Sequence, residues 1–215
     1  MRIGLIGGTY NPIHNGHLRI AEEIREEFAL DRVVFIPASI PPHKQLADDL
    51  SFEHRMNMVV AAIGDNPFFS VSPLEGERGG KSYSIDTLRH FRTEHPDDDL
   101  FFIMGSDSFV DIGNWKEAAQ LFSFANIVVV DRPGFMGIDL AGALPVAMTP
   151  LFCYHPHEKR LSHSSGHSVF YREGVPLDIS SSVIRRLVRQ GRSVRYLVPP
   201  AVEHYIKENE LYAKS

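Results

Sequence analysis

Short apolar runs of strand length, separated by amphipathic segments, constrain this chain more than any other feature. They are Ile3-Gly4-Leu5-Ile6, Val33-Val34-Phe35-Ile36, Phe68-Phe69-Ser70-Val71-Ser72, Leu100-Phe101-Phe102-Ile103-Met104 and Ile127-Val128-Val129-Val130, and most are β-branched or aromatic, as buried strands are. After the first run, Ile20, Ala21, Ile24 and Phe28 recur at helical spacing while Arg19, Glu22, Glu23, Arg25, Glu26 and Glu27 fill the other positions, which makes a helix with one buried face. Strand, helix, strand implies a right-handed crossover and a parallel sheet. Helices also follow at about Phe52 to Ile63 and through Ile85, Leu88 and Phe91, the latter with Ser82 or Ser84 as N-cap. The expected fold is α/β: a Rossmann-like, doubly wound parallel sheet of about five strands flanked by helices, with a C-terminal helical part.

In such sheets ligands bind outside the carboxyl ends of the strands, and the polar motifs of this chain fall there. Gly7-Gly8-Thr9-Tyr10-Asn11-Pro12-Ile13-His14-Asn15-Gly16-His17 links the first strand to its helix. Gly7 and Gly8 leave the backbone open to a ligand, and the following helix start presents N–H groups and a positive dipole end. His14 and His17 lie three residues apart, so their imidazoles share a side. A phosphate site follows from this combination, although neither Gly-x-Gly-x-x-Gly nor the P-loop lysine is present. Past the second strand, His43 and Lys44 end a proline-rich loop, which reads equally as an anion contact or as a solvated loop. Gly105 and Asp107 follow the fourth strand, where Asp107 is a cap, a ribose acceptor or a metal ligand. Trp115 is the only tryptophan, and its polar, glycine-containing surroundings suit a partly exposed ring able to stack on a heterocycle. Ser180, Ser181 and Ser182 open a helix that carries Arg185, which makes a further anion site.

Between positions 135 and 174 the pattern weakens into a loop-rich insertion, with a short hairpin that uses Ser168 to Tyr171 as a strand. Its His155, His157, His163 and His167 match no standard zinc spacing, so a metal site is not expected. The whole chain of 215 residues is read as one domain, with positions 178–215 as its helical end. A formal charge of −5 argues against nucleic-acid binding through a broad basic face. No run is long enough to span a bilayer, and Cys153 is the only cysteine, so a cytoplasmic location is expected.

Gly7 to His17, with its paired histidines, resembles the first signature of the nucleotidyltransferase superfamily, and Ile179-Ser180-Ser181-Ser182-Val183-Ile184-Arg185 resembles the second. Within it the chain is most similar to the bacterial nicotinate-nucleotide adenylyltransferase family. The supporting residues are Pro41-Pro42-His43-Lys44, Arg78 with Ser82 to Leu88, Gly105-Ser106-Asp107 with Trp115, Arg132-Pro133-Gly134, and the ending from Tyr196 to Tyr212. Asn11 stands where that family usually has aspartate, and Ser84 and Ser182 where it has threonine. The resemblance implies adenylyl transfer from ATP to nicotinate mononucleotide in NAD biosynthesis. It implies catalytic roles for His14, His17 and Arg185, and ATP contacts from Gly7, Gly8, Thr9, Gly105, Asp107, Arg132, Ser181 and Ser182. It places the mononucleotide against Asn11, Lys44, Ser84, Ile85 and Trp115. Mg²⁺ would be held mainly by phosphates and water rather than by the protein. The rival readings are transfer to nicotinamide mononucleotide or phosphopantetheine, and a nucleotide-binding module without chemistry.

Overall fold

The computed structural model describes residues 1–42, 50–131, 137–173 and 177–213. Its first half alternates as the apolar runs require: β1 (Arg2–Gly8), α1 (Asn15–Glu27), β2 (Arg32–Pro37), α2 (Phe52–Ile63) and β3 (Phe69–Val71). Then come α3 (Leu74–Arg78), α4 (Ser84–Glu94), β4 (Asp99–Gly105), α5 (Ser106–Val110), α6 (Ala118–Leu121) and β5 (Asn126–Val130). The chain continues through β6 (Phe152–His155), β7 (Arg160–His163), β8 (Ser168–Arg172), α7 (Ser181–Arg189) and α8 (Pro200–Glu208).

The strands form one sheet in the order β3-β2-β1-β4-β5-β8-β7-β6. β1 pairs in parallel with β2 on one side and β4 on the other, so successive crossovers leave in opposite directions and open a crevice above β1 and β4. The doubly wound parallel architecture is as expected, but eight strands replace about five. Ser168–Arg172 pairs in parallel with β5, and the β6–β7 pair extends the sheet antiparallel beyond it. The segment expected to be a loop-rich insertion therefore contributes three strands.

Alternation along the strands sorts side chains onto two faces. Ile6, Val33, Phe35, Phe101, Ile103 and Val128 pack with residues of α1, α2, α7 and α8. Ile3, Leu5, Val34, Leu100, Phe102 and Ile127 pack on the opposite side with α4, α5 and α6. Neither Ser82 nor Ser84 caps α4: Tyr83 occupies the N-cap without a side-chain bond. Ser82 is used elsewhere, its Oγ accepting from the Ser39 N–H at 2.8 Å. No helix among the described residues is long and apolar enough to cross a membrane.

The histidines near β6–β8 mostly serve local hydrogen bonds, His155 with Ser162 and both His163 and His167 with Ser165. Among the described residues no group of three or more His, Cys, Asp or Glu is arranged to hold a metal ion. His163 is buried against Phe122 and Phe152, and burial lowers its pKa. His167 is lowered as well, by burial first and then by Arg92. The unfolded chain thus binds more protons than the folded one between those lowered values and the ordinary value of about 6.5, and stability rises with pH across that window. The melting temperature should fall as pH drops from 7 towards 5, and His163→Gln should flatten that slope in thermal scans. An unchanged slope would show that His163 does not contribute to it.

Candidate active site

A cavity of about 610 Å³ lies at the carboxyl edge of the sheet, a size suited to a small-molecule site. One end is built by the β1–α1 connection. A Cβ on Gly8 would come within 2.7 Å of the Tyr10 ring, so only glycine lets that ring lie under the turn and donate its hydroxyl to the Ile6 carbonyl at 2.7 Å. Tyr10 in turn meets the His17 ring edge-on at 5.2 Å, and the His14 and His17 rings stack with centroids 3.7 Å apart. The His14 N–H donates to His17 Nδ1 at 3.2 Å. With Nδ1 accepting, the proton of a neutral His17 sits on Nε2, which is therefore a donor in either protonation state.

The start of α7 closes against the same turn. Ser180 caps it by accepting from the Val183 N–H at 3.3 Å. Ser181 Oγ donates to the Pro12 carbonyl at 2.9 Å, and Arg185 Nη1 donates to the Asn11 carbonyl at 2.7 Å. Two helix N-termini, two imidazoles and a guanidinium thereby converge on one end of the cavity, an arrangement that favours a polyphosphate.

The other end is framed by the start of α4. Ser84, Tyr83, Trp115 and Lys116 line it. The half-buried Trp115 ring packs edge-on against Phe102 at 6.5 Å. Lys116 lies 4.8 Å from the centre of the Tyr83 ring and 3.0 Å from Asp86 Oδ2. The first N–H groups of α4, from Ser84 and Ile85, belong to the set that a helix leaves without intrahelical partners.

Gly7, Gly8, Thr9, Asn11, His14, His17, Ser84, Gly105, Asp107, Trp115, Ser181, Ser182 and Arg185 all line the cavity. Ile85 does not: its side chain is buried in the core. Asn11 is buried, and its Oδ1 accepts from the Tyr212 hydroxyl at 2.7 Å, which ties the C-terminal segment to the β1–α1 connection. Lys44, with His43, and Arg132 lie outside the described residues. The sequence reading missed Tyr83, Lys116 and Asp131. Asp131 lines the cavity and accepts from the Tyr171 hydroxyl at 2.5 Å, and burial, then that bond, pushes the Tyr171 pKa up to about 12. The only signal for Tyr83 and Lys116 was adjacency to Ser84 and Trp115, which does not say where a side chain points.

Residues 5–187 match the cytidylyltransferase-like family. A Geobacter metallireducens protein named probable nicotinate-nucleotide adenylyltransferase is 62% identical over 212 residues, 99% of this chain and 98% of that one. The chain belongs to the nicotinate-nucleotide adenylyltransferase family. A second member, from Geobacter sulfurreducens, is 58% identical over 213 residues, 99% of each chain. The adenylyltransferase fold is shared with the Plasmodium falciparum nicotinic acid mononucleotide adenylyltransferase complexed with NaAD, at a TM-score of 0.75 and 20% identity over 98% of this chain and 97% of that one.

Proposed function

We propose that this chain transfers the adenylyl group of ATP to nicotinate mononucleotide, forming nicotinate adenine dinucleotide and pyrophosphate in NAD biosynthesis. The observation that carries the reading is one continuous cavity with a phosphate clamp at one end and an aromatic, helix-capped pocket at the other. An oxygen of the mononucleotide phosphate attacks the ATP α-phosphorus, and the bond from that phosphorus to the bridging oxygen of the leaving pyrophosphate breaks. The attacking phosphomonoester, with a second pKa of about 6, is already largely dianionic at neutral pH. No general base is needed, so rate comes from alignment and from neutralising charge on the α-phosphate and the leaving group.

In this reading His14, His17, Gly7, Gly8 and Thr9 hold the phosphates from one side and Ser181, Ser182 and Arg185 from the other, with Gly105, Asp107 and Arg132 towards the adenosine. Trp115 stacks on the pyridine ring, the Ser84 and Ile85 N–H groups receive its carboxylate, and Lys44 and Asn11 lie on the mononucleotide side. Glu75, Asp107, Asp111 and Asp131 line the cavity, yet among the described residues no three such groups are arranged around one ion, which fits Mg²⁺ carried mainly by phosphates and water. When bound, that ion offsets triphosphate charge. We place the reaction in the cytoplasm, with no nucleic-acid or membrane partner.

Nicotinamide mononucleotide is the nearest alternative, because acid and amide differ by one group. The N–H groups at the start of α4, which the helix leaves without intrahelical partners, favour the anion. Initial rates with both mononucleotides at equal concentration should favour nicotinate mononucleotide at least tenfold; a preference for the amide would overturn the substrate assignment, and no pyrophosphate release with either would overturn the enzyme reading.

A further inference from the structure

Arg55 is a charged group for which the reaction above has no use. It lies on α2, fully buried at 0% exposure. Its Nη1 donates to the Thr9 carbonyl at 2.9 Å and to the Ala38 carbonyl at 2.5 Å, and its Nη2 donates to the Ser39 carbonyl at 2.9 Å. The Phe52 ring lies 5.6 Å from the guanidinium carbon. Among the described residues no carboxylate pairs with it, and burial disfavours its charged form. A charge kept at this cost is engaged instead by three backbone oxygens on two connections of the sheet.

Those connections build the cavity. Thr9 and Ala38 both line it. The peptide whose carbonyl Ala38 contributes also carries the Ser39 N–H, and that N–H points to Ser82 Oγ at 2.8 Å, as the opposed C=O and N–H of a trans peptide require. The Ser82 N–H returns to the Ile40 carbonyl at 2.9 Å. Ser82 stands two residues before Ser84, where α4 begins. A continuous chain of bonds therefore runs from the phosphate turn through Arg55 to the start of α4.

We propose that Arg55 is a positioning residue that sets the ATP-facing turn after β1 against the loop after β2 and, through Ser39 and Ser82, against the mononucleotide-facing start of α4. The assignment of the two ends rests on the function proposed above. Nη1 alone bridges the two connections, and the planar fork adds the Ser39 carbonyl through Nη2, so three carbonyls are held at once.

The test combines steady-state kinetics of R55M, R55K, S82A and R55M/S82A with ATP affinity by calorimetry, each variant checked for folding by circular dichroism. R55M should lose at least thirtyfold in kcat/KM, raise KM for both substrates, and regain part of its activity with millimolar guanidinium but not with equal sodium chloride. R55K should stay at least tenfold below the parent, because an ammonium cannot reproduce the fork. S82A should raise KM for the mononucleotide, and adding it to R55M should raise that KM no further. Near-normal KM values in folded R55M, near-normal kinetics in R55K, or a full multiplicative loss in the double variant would overturn the proposal. If R55M does not fold, R55K and S82A carry the decision. If the parent itself is inactive with nicotinate mononucleotide, the substrate reading fails separately, and Arg55 is judged by ATP affinity, expected to weaken at least tenfold in R55K and R55M; unchanged affinity would overturn the proposal.

Discussion

Replacing His17 with alanine is expected to lower kcat by about 10²-fold or more, the scale for losing one donor aimed at developing charge. The expectation rests on the 3.2 Å bond from the His14 N–H to His17 Nδ1. That bond makes Nε2 the proton-bearing atom of the neutral ring, so His17 donates whether or not it is protonated. A general base needs the opposite, a free lone pair on the reactive side. In the proposed reaction the role left to His17 is charge stabilisation, which is felt most in the transition state and so appears in kcat more than in KM. Structural damage should be small by comparison. Truncation removes the acceptor for one N–H at a helix start and the ring contacts with Tyr10 and His14, a loss of about 1 kcal/mol by analogy with other helix caps. Turnover of purified His17→Ala, measured by pyrophosphate release beside a thermal melt, decides the matter; near-normal kcat in a folded sample would sink the role.

The fold was legible because five strands are buried and therefore apolar, and because helices of period 3.6 lie between them. The far edge of the sheet was not. β6 reads Phe-Cys-Tyr-His and β7 reads Arg-Leu-Ser-His, mixed edge sequences in which Leu161 and His163 are the only buried residues. Ser168 to Tyr171 was recognised as strand-like, but its partner β5 is about forty residues away in sequence, at Ile127↔Val169, and local pattern does not encode such pairing. The site divides in the same way. Glycines, histidines and serines at strand ends and helix starts announce themselves, since those positions restrict residue type. Arg55 does not, because an arginine on a helix that also carries Met56 and Val59 reads as part of a solvated face. Only the closing of the Thr9, Ala38 and Ser39 carbonyls over it gives it a partner. Tyr83 and Lys116 were missed for a related reason, that neither is of a type the chemistry demands.

Arg185→Ala should also cost about 10²-fold or more in kcat/KM, but with a different signature, because in the proposed clamp Arg185 both bears charge and joins the two halves. It lies four residues after Ser181 and so on the same side of α7. Both reach the β1–α1 connection, Ser181 through the Pro12 carbonyl at 2.9 Å and Arg185 through the Asn11 carbonyl at 2.7 Å. Removing the guanidinium should loosen the closure of α7 on that connection as well as remove a cation, so KM for ATP should rise while kcat falls. Arg185→Lys separates the two contributions. An ammonium restores the charge, whereas holding a backbone carbonyl and facing a phosphate from one plane needs the fork. The lysine variant should therefore stay at least tenfold below the parent, and its residual activity should fall more steeply with added salt, because a mobile point charge is screened more readily than a fixed, partly buried pair. Recovery to within threefold of the parent would show that charge alone suffices, and an Arg185→Ala protein within threefold would remove Arg185 from the clamp altogether.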